Sequence, residues 1–104
     1  MNKLEFDYIL QNGESYLVEF KERVNSSLAR EMTAFANASG GRIFLGVTDN
    51  GKAGGIEITN KLRSRIQDFA NNCQPYVPVD LKYVKMAVEM GPHLKYSISA
   101  IIPS

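Results

Sequence analysis

Arg42-Ile43-Phe44-Leu45-Gly46-Val47, followed by Thr48-Asp49-Asn50-Gly51, is the stretch that decides the fold. The first six residues are a nearly continuous apolar run of strand length. That pattern suits a central strand covered on both faces. Asp49-Asn50-Gly51 is the strongest hairpin signal in the chain, because Asn-Gly fits the positive φ angles of a tight two-residue turn. Lys52 to Ile58 returns from it as a short strand or loop, weakened by Gly54-Gly55.

The segments on either side alternate. Upstream, Leu28, Met32, Phe35 and Ala36 fall on one face of a 3.6-residue period and predict a helix. Ser26 or Ser27 offers it an N-cap oxygen, and Gly40-Gly41 closes it. Before it, Tyr16 to Lys21 is rich in β-formers and reads as a strand. Gly13 opens a short turn after Asp7–Leu10. Downstream, Thr59 or Asn60 caps a second helix whose Leu62, Ile66, Phe69, Ala70 and Cys73 repeat the same face. Cys73 then reads as a small buried hydrophobe. Pro75 and Pro78 end that helix. Two strands close the chain, Val79–Val88 and Leu94–Ile102, joined at Gly91-Pro92. In the last, Tyr96, Ile98, Ala100 and Ile102 alternate with Ser97 and Ser99, which predicts a half-exposed strand. The order is β-α-β-β-α-β-β, an α+β domain with a mixed sheet and two helices.

The 104 residues suit a single domain, 1–104, and the ending just past a strand suits the N-terminal part of a longer protein. Apolar residues at 44% and charged residues at 22% give an ordinary globular balance, which excludes disorder. No apolar run approaches the roughly 20 residues of a membrane span, and Met1 to Asp7 does not resemble a secretory leader. A single cysteine excludes an internal disulfide and a Cys-rich zinc site, so the expected location is the cytoplasm. One histidine, His93 in a turn, excludes HExxH metalloproteases. Net charge is +1 but unevenly spread: residues 1–22 are net acidic and residues 23–65 net basic. The middle of the chain is the candidate anion-facing region.

The sharpest chemical constellation is acidic. Glu19 and Lys21 share one face of a strand, because side chains alternate. Glu14 joins them only if a turn or bulge near Ser15–Tyr16 brings it back. Asp49 ends the next strand and converges on Glu19 if the strands are neighbours. Carboxylates beside a lysine suit Mg²⁺ or Mn²⁺, which polarise a phosphodiester and activate water while Lys21 steadies developing charge. The plainer account stays open: Asp49 is turn chemistry, and Glu19 with Lys21 is a surface pair. Among the bases, Lys21, Arg23, Arg30, Arg42, Lys52 and Arg63 are candidates for phosphate contact. Arg30, Lys61, Arg63 and Arg65 lie off the apolar faces of their helices. No basic–aromatic alternation of the single-strand-binding kind is evident.

Three strings carry a resemblance: Glu14 with Glu19-Phe20-Lys21, Ala34-Phe35-Ala36-Asn37 with Gly40-Gly41, and Gly46-Val47 with Asp49 and Gly51. Together they look like the Schlafen AlbA-type domain of bacterial and archaeal regulators and of animal Schlafens. The resemblance is strong over residues 13–55 and looser beyond. It implies an Alba-like sandwich and nucleic-acid binding, with no cofactor needed. It also implies a homodimer, because Schlafens pair two such domains in one chain. In the Schlafens that cut RNA, three carboxylates hold the metal, and Glu14, Glu19 and Asp49 match them by position, with Lys21 beside them. The first expectation is therefore a DNA- or RNA-binding domain of a transcriptional regulator. The alternatives are an endoribonuclease using Mg²⁺ or Mn²⁺, and a protein-interaction or dimerisation module.

Overall fold

A computed structural model of the chain describes residues 2–73, 76–85 and 95–103. Its elements follow in the order α1 (Lys3–Asn12), β1 (Val18–Lys21), α2 (Ser27–Asn37), β2 (Gly41–Leu45), β3 (Ile56–Glu57), α3 (Asn60–Asn71), β4 (Asp80–Lys85) and β5 (Lys95–Ile102). The domain is α+β, as the alternation predicts. Strand β1 runs parallel to β2, while β2, β3 and β4 each pair antiparallel with β5. Strands β2 and β3 occupy successive parts of one edge of β5, through Leu45 opposite Ile98 and Ile56 opposite Tyr96. Strand β4 takes the other edge. The two central strands are therefore β2 and β5.

Register separates two cores. Glu19 stands opposite Ile43 and Lys21 opposite Leu45. Ile43, Leu45, Ile98, Ala100 and Ile102 meet Leu28, Met32 and Phe35 of α2 and Ile66 and Ala70 of α3. Phe20 stands opposite Phe44 on the other face, where Phe6 of α1 joins them with Val47 and Val84. Phe6 and Phe44 have ring centroids 5.8 Å apart; Phe20 meets Phe44 edge-on at 6.3 Å. The sheet is thus a middle layer between α1 and the α2–α3 pair. Cys73 is buried with its thiol free, as expected of a small core residue.

Helix α1 corrects the two-helix expectation. Asn2 caps it by accepting from the Glu5 amide at 2.8 Å, Glu5 complements the dipole in the first turn, and Lys3 pairs with Asp7 at 2.6 Å. The polar, acidic start of the chain hides an apolar stripe of Phe6, Ile9 and Leu10. The element order is α-β-α-β-β-α-β-β.

Three smaller expectations also change. Neither Ser26 nor Ser27 caps α2: Ser26 makes no cap bond, and Asn25 Oδ1 accepts from the Ser27 amide at 3.1 Å instead. The Asn-Gly turn is one residue longer than the two-residue form. Thr48 N donates to Lys52 O at 2.9 Å, and the positive φ (84°) belongs to Gly51, with Asn50 in an ordinary conformation. A Cβ at Gly51 would stand 2.8 Å from Leu10 O, so the loop also lies against the end of α1. Its return meets the residues just past β2, at the Val47–Ala53 bridge and through Gly55 N donating to Gly46 O at 3.0 Å, before pairing with β5 as β3. Last, Ser97 and Ser99 are buried, not half-exposed, because α1 covers their side of the sheet. Ser97 Oγ is satisfied by donating to Leu45 O at 2.8 Å. Thr59 caps α3 as expected, accepting from the Leu62 amide at 3.0 Å. Pro75, the Gly91-Pro92 join, His93 and the outer ends of the two closing strands, Met86–Val88 and Leu94, lie outside the described residues.

Candidate functional site

The turn required for Glu14 is present. Ser15 and Val18 exchange backbone hydrogen bonds of 2.9 and 3.2 Å, folding residue 14 back along the free edge of β1. Glu14 Oε2 accepts from the Phe20 amide at 2.9 Å, so this carboxylate also closes an edge donor that β2 leaves unpaired. Glu19 and Lys21 point to the opposite side from Phe20, under the first turns of α2. There Lys21 Nζ lies 3.0 Å from Glu31 Oε1 and donates to Ser27 Oγ at 2.5 Å. Ser27 Oγ lies 2.7 Å from Asn25 Oδ1 and 3.1 Å from Glu31 Oε1, with one proton to give. Burial, a hydrogen bond to Glu31 and the charges of Glu31 and Glu14 raise the Glu19 carboxyl from 4.5 to about 7, against the pull of Lys21.

This arrangement has a pH consequence. The fold favours protonated Glu19, so its contribution to stability is full below pH 4.5 and is lost as pH rises through 7. Glu19→Gln keeps the neutral form. At pH 8 we expect the variant to be more stable than the parent by about 1 kcal/mol, after solvent screening of a partly exposed pair. At pH 4 the difference should vanish. Urea unfolding at the two pH values measures it, and a variant less stable at pH 8 contradicts the assignment.

A cavity of about 320 Å³ opens beside this cluster, lined by Glu19, Lys21, Arg23, Asn25, Glu31 and Asp49 among others. The structure therefore brings Glu14, Glu19 and Lys21 together and sets Asp49 on the same cavity. Glu31 was missed by sequence reasoning. It lies mid-helix, and its only signal is that it follows Ser27 by four residues on the face above β1. Among the described residues, no three His, Cys, Asp or Glu side chains are close enough to hold a metal ion. Glu14 is committed to a backbone amide, and Glu19 shares a hydrogen bond with Glu31. Glu14, Glu19 and Asp49 do not form a Mg²⁺ or Mn²⁺ cradle in this arrangement.

The basic candidates do not form one patch. Lys21 is paired with Glu31. Arg23 lines the acidic cavity, and Lys52 is exposed on the hairpin. Arg42 is half-buried on the α1 side of the sheet, beside Ile9, Leu17 and Val18. Arg30 is exposed on α2. Arg63 is exposed on α3 with Lys61 and Arg65, and its guanidinium lies over the Tyr83 ring, 5.6 Å from the centroid. Lys61, Arg63 and Arg65 make no ion pair with any described residue.

The family model described as Schlafen, AlbA_2 matches residues 14–101. The chain belongs to that family. The match begins at Glu14 and takes in the acidic cluster, the hairpin and α3, while α1 precedes it. Membership associates this Schlafen AlbA_2 domain with nucleic acid. No curated protein matches the chain. No described helix of the Schlafen AlbA_2 domain is long and apolar enough to cross a membrane.

Proposed function

We propose that this domain binds nucleic acid, DNA or RNA, through phosphate contacts made by α3, as the anchoring part of a cytoplasmic transcriptional regulator. The observation that carries the reading is the contrast between two charged regions. Lys21 of the acidic cluster is neutralised by Glu31, whereas Lys61, Arg63 and Arg65 stand exposed on one helix and make no ion pair with a described residue. Exposed, unpaired cations release counterions when they meet phosphates, which is the main source of sequence-independent affinity. Helix α3 has no acid in its first turn, so its N-terminal dipole adds to the same field. Family membership supports the class of partner. One copy of the domain presents all three side chains.

Amide mapping by NMR with an RNA hairpin and a DNA duplex, in EDTA, tests it. Shifts clustered on residues 60–66 and 83–85 are expected. Shifts confined to residues 19–31 and 49, or none at all, overturn it. Cleavage that appears with Mg²⁺ or Mn²⁺ and disappears in Glu19→Ala replaces it with the nuclease alternative.

A further inference from the structure

Between helix α3 and the β4–β5 pair lies an open surface hollow of about 430 Å³ lined by Ile58, Arg63, Tyr83 and Tyr96. Its volume is that of a small-molecule pocket. Tyr83 stands opposite Ile98 in the β4–β5 ladder, which makes Tyr83 and Tyr96 diagonal neighbours on one sheet face. Tyr83 is 38% exposed although it is a large aromatic ring on a strand. The Arg63 guanidinium already lies over that ring, and no acid is among the four lining side chains. Lys61 and Arg65 lie on the other flank of the same helix, beside Glu57, and do not line this hollow.

We infer that this hollow is a stacking subsite for one unpaired nucleobase of a single-stranded segment. A nucleobase is flat and polarisable and stacks on tyrosine rings and on guanidinium planes alike. The Arg63 guanidinium also carries the positive charge that the backbone phosphate of such a base would meet. A duplex keeps its base faces internal and has nothing to insert. The subsite therefore favours single strands, loops and frayed ends over paired helices. The inference rests on the nucleic-acid reading above and specifies which form of nucleic acid that face takes.

The chain contains no tryptophan, so Tyr83→Trp installs a unique fluorophore that keeps the stacking surface. We expect a short oligothymidylate, titrated in EDTA, to quench that emission saturably, while a duplex of equal length quenches it far less. Tyr83→Ala is expected to lose about tenfold in affinity for the oligothymidylate and little for the duplex. Anisotropy of the labelled strand, recorded in parallel, separates the two levels of the argument. A rise in anisotropy with unchanged tryptophan emission overturns the stacking subsite and leaves nucleic-acid binding in place. No rise in anisotropy with either probe overturns both. Should Tyr83→Ala fail to fold by circular dichroism, the tryptophan variant alone decides.

Discussion

Phe6→Ala is expected to destabilise the domain by about 3–5 kcal/mol, the usual cost of deleting a fully buried phenylalanine ring. Phe6 belongs to an element outside the family match, yet it is completely buried. It packs against Phe44, which in turn meets Phe20 of β1. Without the ring, α1 loses its main hold on the sheet, and Ser97 and Ser99 lose their cover. Domains of this size have about 5–15 kcal/mol of total stability, so the variant should sit near its unfolding threshold at room temperature. Leu4, on the same helix but 80% exposed, is the control: Leu4→Ala should change stability by no more than about 0.5 kcal/mol. Urea titration of both variants makes the measurement. Equal, small effects would show that α1 is an appendage rather than the third layer of the fold.

Reversing the three α3 cations together, Lys61→Glu, Arg63→Glu and Arg65→Glu, is expected to weaken nucleic-acid binding at least tenfold near 0.1 M salt. Each phosphate contact removed lowers the salt slope by about 0.9 on duplex DNA or about 0.7 on a single strand, so three lower it by up to about 2.7 or about 2.1. These side chains are exposed, so folding should survive the change. Arg42→Glu is the informative comparison. Arg42 lies on the α1 side of the sheet, across from α3, and its reversal should leave the slope nearly unchanged. A triple variant that binds like the parent would remove α3 from the interface.

The parts of the fold legible in the sequence are those governed by local rules. The β1–α2–β2 run follows from apolar periodicity and from the glycines that close the helix and shape the hairpin. The two helices with matching apolar positions, Leu28 to Ala36 and Leu62 to Ala70, do cover the same face. Helix α1 was illegible because acidic and polar residues outnumber its apolar stripe, and its burial depends on a sheet face formed much later in the chain. Ser97 and Ser99 misled for a related reason. Alternation normally marks a wet face, but here small hydroxyls fill the covered one, and Ser97 finds its acceptor on β2.

The site divides along the same line. Glu14, Glu19 and Lys21 are close in sequence, and their spacing requires the turn that joins them. Glu31 was not legible because it reaches the cluster only when α2 lies over β1. Arg63, Tyr83 and Tyr96 come from three elements, and only the β4–β5 register and the packing of α3 bring them to one hollow. No linear pattern of bases and aromatics exists to signal them.

Phosphate contacts that need no metal should bring this domain to nucleic acid. Fluorescence anisotropy of a labelled RNA hairpin and a DNA duplex, titrated with the domain at several salt concentrations in EDTA, tests it most directly. Saturable binding is expected, with logarithmic affinity falling linearly with the logarithm of salt concentration. Absence of binding to either probe even at low salt would contradict it.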